Sequence, residues 1–195
     1  MRKYIKICTG LIRLFFEELL NGFKIKIHGI SYCVNSGVKF WVHDGGSIDL
    51  GKKTWLSENT IFECGGGLLV LGYNNFFNSN CRIASIQKIT IGDNNLFGPN
   101  VIIVDHDHKY SDGTQLICKQ GFTNSEVTIG SDNWVGGNVT ICQGVTIGNH
   151  VVIGANSLVN KDCVEPGVYA GIPAKKIKDI QLHERKEVIH HRQII

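Results

Sequence analysis

Ile129-Gly130-Ser131-Asp132-Asn133-Trp134-Val135-Gly136-Gly137-Asn138-Val139-Thr140-Ile141 is one six-residue unit read twice, and the register runs on through Ile147-Gly148, Ile153-Gly154 and Val159-Asn160 without slippage. A fixed period this short marks a solenoid in which each step repeats one structural unit. Within a unit such as Val145-Thr146-Ile147, extended backbone sends Val145 and Ile147 to one face and Thr146 to the other. Gly148-Asn149-His150 then supplies residue types that tolerate a tight bend. An amphipathic helix needs spacings of three and four, so the pattern predicts a prism of stacked coils, an all-β fold.

The inward positions are graded in size. The large one is Ile129, Val135, Ile141, Ile147, Ile153 and Val159; the small one is Asn133, Val139, Val145, Val151, Ser157 and Cys163. Read in sequence order, the outward positions Trp134, Thr140, Thr146, Val152 and Leu158 are uneven, which argues against a surface built only for binding. Upstream, the register returns in Leu50-Gly51, Leu56-Ser57 and Phe62-Glu63, in Leu71-Gly72, Phe77-Asn78 and Ile83-Ala84, and in Ile91-Gly92, Phe97-Gly98 and Ile103. Three extra residues near Gly65-Gly66-Gly67 and a two-residue slip near Gln87-Lys88 interrupt it.

From Val104 to Glu126 the repeat vanishes, an excursion about twenty residues longer than the register needs, and loops of that length usually carry function. It holds Asp105-His106-Asp107-His108-Lys109-Tyr110, the candidate for chemistry. Imidazole suits acid–base work because its reference pKa of about 6.5 leaves a neutral accepting nitrogen near neutral pH.

The rest of the chain bounds the function. At 195 residues it suits one structural body, divided as a lead-in over 1–47, the β-helix over 48–177 with the loop at 104–126, and a tail or short helix over 178–195. A charge of +3 with scattered basic residues does not imply nucleic acid. Seven cysteines without paired spacing and without a secretory leader predict reduced thiols and a cytoplasmic protein. Tyr4 to Phe23 is apolar but broken by Lys6, Arg13, Glu17 and Glu18, which predicts an amphipathic helix rather than a span. Such a helix can cap the open end of the prism, or rest on the inner membrane surface through Leu11, Leu14, Phe15 and Leu19. His190 and His191 near the end are expected to face solvent.

With the repeat, the inserted histidine loop and Val168-Tyr169-Ala170-Gly171-Ile172-Pro173-Ala174-Lys175 after the last coil, the chain resembles the hexapeptide-repeat acyltransferases. It is similar to the branch of galactoside, maltose and xenobiotic acetyltransferases and surface-polysaccharide O-acetyltransferases. The resemblance implies a left-handed parallel β-helix, a homotrimer, acetyl-CoA as co-substrate with no metal, and a sugar or glycan acceptor. It also implies a loop histidine as general base. Counting without gaps from Gly98-Pro99-Asn100 puts that base on His108, with Asp107 as its polar neighbour; a two-residue deletion would put it on His106. By the same resemblance Asn78 lies near the acceptor, and Trp134, Gly137, Ala155, Asn160, Lys161 and Lys175 bind the donor. The family often has Thr at the place of Asn160 and Arg at that of Lys175. Two other readings stay open: a zinc hydratase resembling the γ-type carbonic anhydrases, for which the chain lacks a second histidine at matching spacing, and a noncatalytic solenoid.

Overall fold

The computed structural model describes residues 2–29 and 31–181 as a three-walled parallel β-helix with one helix, α1 (Arg2–Leu20), at its start. Wall 1 stacks Ile25–Ile27, Ser47–Leu50, Leu68–Leu71, Lys88–Ile91, Val127–Ile129 and Thr146–Ile147. Wall 2 stacks Cys33–Val34, Trp55–Leu56, Phe76–Phe77, Leu96–Phe97, Trp134–Val135, Val151–Ile153 and Gly167–Gly171, after which Ala174–Asp179 returns antiparallel. Wall 3 stacks Lys39–His43, Ile61–Gly65, Arg82–Ser85, Ile102–Val104, Thr140–Ile141 and Leu158–Val159. These are six coils of the expected left-handed β-helix type. Coil 1 pairs in register with coil 2 on every wall, so the solenoid starts at Ile25, a full coil before residue 48. Its hexapeptides are masked in the sequence because four extra residues separate wall 3 from wall 1 there. The expected helix at the chain's end, with His190 and His191, falls outside the described residues.

The graded interior is realised. Large positions Ile129, Val135, Ile141, Ile147, Ile153 and Val159 and small positions Val139, Val145 and Val151 are all buried; Cys163, expected at a small position, instead stacks on Ile147 at a large one, because the chain reaches wall 1 two residues early after Val159. In the first four coils the large residues are partly aromatic: Phe40 stacks on Phe62 at 5.3 Å, Phe62 meets Phe77 edge-on at 5.3 Å, and Phe77 stacks on Phe97 at 4.4 Å. Cys81 at a small inward position and Cys163 stacked on Ile147 are both buried, and burial pushes both thiols up to about 11.

Two of the three corners are uniform. Each turns through a residue with φ near +60°, among them Asn74, Asn94 and Asp132 between walls 1 and 2, and Asn80, Asn100, Asn138 and Asn156 between walls 2 and 3. Asn tolerates that region better than most side chains, which explains its enrichment at these steps. Beneath the first corner runs a buried ladder of small inward residues. Asn95 Nδ2 donates to Gly130 O at 3.0 Å and to Asn75 Oδ1 at 3.1 Å, while its Oδ1 accepts the Asn133 N–H at 3.0 Å. Asn133 repeats the pattern, donating to Gly148 O and accepting from the Val151 N–H. The third corner, from wall 3 to wall 1, takes every insertion from coil 2 onward; coil 1 also carries one extra residue between walls 1 and 2.

Helix α1 packs against the first coil at the open end of the solenoid. Leu14 is buried, and a Cβ at Gly10 would sit 2.8 Å from Val34 N, so only glycine allows the helix this close to wall 2. Arg13 Nη1 donates to Val34 O at 2.8 Å, and Glu17 Oε2 accepts the Phe40 N–H at 3.2 Å. Asn21, just past the helix, donates from Nδ2 to Phe40 O and accepts the Val42 N–H on Oδ1, both at 2.8 Å. Its side-chain amide thus stands in for a peptide group on the missing rung, satisfying an edge that would otherwise be exposed.

Asn95→Ala strands the Asn133 N–H and the Gly130 carbonyl in the interior and is expected to cost about 3 kcal/mol. Asn100→Ala, which removes an exposed corner ladder bond to Asn138, is expected to cost about 1 kcal/mol. Urea unfolding of both variants beside the parent measures the difference.

Candidate functional site

The insertion between walls 3 and 1 varies by coil: short glycine-rich corners follow His43 and Gly65, a Ser85-Ile86-Gln87 corner follows coil 3, and the long loop follows coil 4. The loop leaves wall 3 at Val104 and folds back as a hairpin, His106–His108 antiparallel to Phe122–Asn124, before Val127 re-enters wall 1. The hairpin rests on the corner beneath through Asp105. This fully buried carboxylate accepts the Ile86 N–H at 2.9 Å, the Gln87 N–H at 2.9 Å and the Ser85 hydroxyl at 2.8 Å. Burial alone would raise its pKa, but those bonds and one from His106 outweigh it and hold the carboxyl below the usual range.

Because an ionised carboxylate only accepts, His106 Nδ1, 3.0 Å from Asp105 Oδ1, carries the proton and donates it. In its neutral form the His106 ring is therefore held in the tautomer that leaves Nε2 as an acceptor, and only 21% of its side chain is exposed. His108 lies two residues along the same strand and so on the same hairpin face. The Phe122 ring sits between the two, edge-on to His106 at 5.5 Å and tilted against His108 at 4.5 Å. His108 is exposed and, among the described residues, its ring makes no hydrogen bond. It lines a hollow of about 330 Å³ with Asp107, Lys109, Tyr110, Ser111, Thr123 and Gln143. Asp107 Oδ2 accepts from Gln143 Nε2 at 2.6 Å, and the same nitrogen lies 3.2 Å from the Thr123 hydroxyl, tying the loop to the corner of coil 5.

The structure thus joins His106, His108 and Asp107 with Asp105, Phe122, Thr123 and Gln143, none of the last four having been assigned a role from sequence. Asp105 was legible as the acid next to a histidine. Gln143 was hidden as an ordinary turn residue of a repeat, and Phe122 and Thr123 lie in the stretch without period. Asn78 stands apart: it sits at the corner between walls 2 and 3 in coil 3, where its Oδ1 accepts the Ser79 N–H at 2.8 Å. Trp134 projects from wall 2 with 57% exposure, and Gly137 and Ala155 follow it at the corner between walls 2 and 3. A Cβ at Gly136 would lie 2.6 Å from Ala155 N, so glycine there serves the stacking of coils; one at Gly137 would lie 3.2 Å from Pro99 Cδ. Exposed Asn160 and Lys161 occupy the wall 3 to wall 1 corner of coil 6, on the same edge as the histidine loop and Gln143. Lys175 is exposed on the returning strand, opposite Ala170. Within one chain His106, His108, Asn160 and Lys161 fall on the edge between walls 3 and 1, Asn78, Gly137 and Ala155 on the edge between walls 2 and 3, and Trp134 and Lys175 on the sheet of wall 2. Among the described residues, no group of three or more His, Cys, Asp or Glu could hold a metal ion.

Comparison with known proteins agrees with the repeat. The family model for bacterial transferase hexapeptide (six repeats) matches residues 126–161. The chain is 36% identical over 154 residues to the putative lipopolysaccharide biosynthesis O-acetyl transferase WbbJ of Escherichia coli, covering 75% of this chain and 78% of that protein. It is 36% identical over 132 residues to the E. coli galactoside O-acetyltransferase, covering 67% of this chain and 63% of the enzyme, so it spans a little under two thirds of that relative. Among solved structures, a galactoside acetyltransferase in complex with coenzyme A superposes with a TM-score of 0.62 at 32% identity, covering 75% of this chain and 66% of the other. A hexapeptide-repeat acetyltransferase from Vibrio cholerae complexed with acetyl-CoA superposes with a TM-score of 0.61 at 32% identity, covering 72% of each chain.

The lowered Asp105 pKa gives a stability prediction with a definite sign. The ionised carboxylate stabilises the fold above its unfolded pKa of about 4, and that contribution is lost as pH falls through the folded value. Asp105→Asn should therefore be less stable than the parent at pH 7, with the gap narrowing below pH of about 4; urea unfolding across pH tests it, and a gap that widens on acidification would contradict it.

Proposed function

Because the chain belongs to the hexapeptide-repeat acyltransferases, we propose that it transfers an acetyl group from acetyl-CoA to a hydroxyl of a sugar or glycan, with the His108 imidazole as general base. The observation that carries the choice is the place of His108: an exposed ring on the rim of the loop hollow, its nitrogens uncommitted, held against Phe122. A base must reach its substrate before its pKa matters. In the reaction, His108 takes the proton from the acceptor hydroxyl as the oxygen attacks the acetyl carbonyl. The tetrahedral intermediate then collapses with cleavage of the C–S bond, and the leaving CoA sulfur receives the proton from the imidazolium. No covalent enzyme intermediate is needed. Lys109, Tyr110, Ser111 and Thr123 give the hollow the polar lining expected of a sugar site, and the WbbJ likeness favours a surface-glycan acceptor.

A specific observation favours a second assignment. Asp105 fixes the His106 tautomer so that Nε2 accepts, the arrangement by which a carboxylate prepares an imidazole to act as base. In that case Asp105 is a positioning residue and His108 a substrate contact.

The active unit is proposed to be a homotrimer. Donor positions Trp134, Gly137 and Ala155 lie across wall 3 from the histidine loop, and a neighbouring prism packed edge to edge would bring such a pair of corners together, with Asn78 near the acceptor. Wall 2 suits that packing: its outward row runs Trp55, Phe76, Leu96, Trp134 and Val152, apolar in every coil. Wall 1, by contrast, presents Lys26, Asp49, Val70, Thr90, Thr128 and Thr146, polar in every coil but the third. Asn160, Lys161 and Lys175 are assigned to the polar and phosphate parts of CoA in this reading.

Thiol release from acetyl-CoA against a panel of sugars tests the assignment. His108→Ala should lose at least about a hundredfold in turnover, and His106→Ala distinctly less. A larger loss in His106→Ala, with a pH–rate profile displaced by Asp105→Asn, would move the base to His106. Full activity in both histidine variants would remove the mechanism.

A further inference from the structure

Helix α1 is apolar on the side that does not touch the solenoid. Gly10 and Leu14 face the first coil, whereas Ile12, Phe15, Phe16 and Leu19 point away from it with half or more of their surface exposed. At 100° per residue these four fall within one face of the helix, opposite Gly10 and Leu14. Leu20 and Phe23, both exposed, extend that surface past the helix end. The capping role and the outward apolar face are thus carried by different residues, and the sequence expectation had mixed them: Leu14 and Leu11 serve the core, Phe15 and Leu19 do not.

The charge of the chain is concentrated in the same segment. Residues 1–26 hold six basic residues (Arg2, Lys3, Lys6, Arg13, Lys24 and Lys26) against Glu17 and Glu18, a net +4. The remaining residues hold 14 basic and 15 acidic, a net −1. Counted by segment, the +3 of the whole chain is not evenly scattered. Glu17 is also turned inward onto the Phe40 N–H, and burial raises its pKa despite that bond and nearby Lys39. A helix with an exposed aromatic face in a strongly cationic segment is the arrangement that lies in the interfacial layer of an anionic bilayer. Two such faces from separate copies would bring two +4 segments together, so the charge disfavours self-association as the cover.

We propose that α1 docks the protein on an anionic lipid surface, with Ile12, Phe15, Phe16 and Leu19 entering the interfacial layer and the first coil of the solenoid nearest the bilayer. The helix does not cross: among the described residues no helix is long and apolar enough to span a membrane. The placement rests on α1 alone and holds whatever the acceptor is. With rungs about 4.8 Å apart, the coil-4 loop stands about 14 Å further along the prism axis than coil 1.

Co-flotation of the full chain with vesicles tests this. The parent should float with phosphatidylcholine vesicles containing phosphatidylglycerol, bind pure phosphatidylcholine much less, and release as salt rises. Phe15→Ser combined with Phe16→Ser, at exposed positions outside the acetyl-transfer site, should weaken binding at least about tenfold while thermal midpoint and acetyl-CoA thiol release stay as in the parent. Lys24→Glu should weaken it at least about fivefold. Absence of parent binding to the anionic vesicles, or unchanged binding by both variants, overturns the proposal. So does light scattering that shows the parent assembling through this face, with the serine variant dissociating it and no vesicle bound.

Discussion

Backbone hydrogen bonding from each coil to the next is the interaction on which everything else rests. N–H groups such as those of Leu96, Gly98 and Ile102 donate to the carbonyls of Asn133, Val135 and Val139 one coil on, at 2.8 to 2.9 Å. Such a stack demands that every coil place its groups at the same height, and so that the corners repeat. Two corners obey through Asn in the left-handed region, and their side chains form ladders of their own, as in Asn74 to Asn94 at 2.8 Å and Asn138 to Asn156 at 3.1 Å. An amide side chain that both donates and accepts is the natural residue for such a ladder, since each rung satisfies the one before it.

With two corners fixed from coil 2 onward, variation enters there at the third. The insertion there shrinks over coils 1 to 3, expands to a whole hairpin after coil 4, and vanishes in coil 5, where Ile141 leads directly to Val145. Asp105 shows how the two demands meet. Its carboxylate occupies an inward corner position and caps the backbone N–H groups of the Ser85-Ile86-Gln87 corner beneath, as any corner residue must. The same carboxylate then orients His106. The rigidity of the stack is passed to a loop that has no repeat of its own, which is what a site on a loop requires if its imidazoles are to keep their geometry.

The ends of the solenoid pose the opposite problem, because the last rung has no successor. Asn21 and Glu17 answer it at the start by supplying peptide-like acceptors and donors to wall 3, and the antiparallel strand Ala174–Asp179 covers wall 2 at the finish. At the start this duty occupies one side of α1 and leaves the other side apolar and open. A helix needed only as a cap would carry polar residues there.

The hexapeptide spacing determined the fold by itself, because a period of six with alternating inward residues admits no helix and no flat sheet. It also located the loop, since a register that holds for coils on either side makes any excess length conspicuous. Coil 1 escaped, because the extra residues after Lys39–His43 break its register. The outward row that looked uneven in sequence order is three separate rows, as successive units fall on successive walls. Trp134 and Val152 share wall 2, Thr128 and Thr146 share wall 1, Thr140 and Leu158 share wall 3, and only the winding separates the apolar row of wall 2 from the mostly polar row of wall 1. The partnership of Asp105 with the Ser85 corner, the contact of Gln143 with Asp107 and the outward turn of Phe15 and Phe16 were likewise decided by tertiary structure. Each depends on residues brought together across coils, and a one-dimensional pattern records what faces inward along the chain but not what lies one rung above.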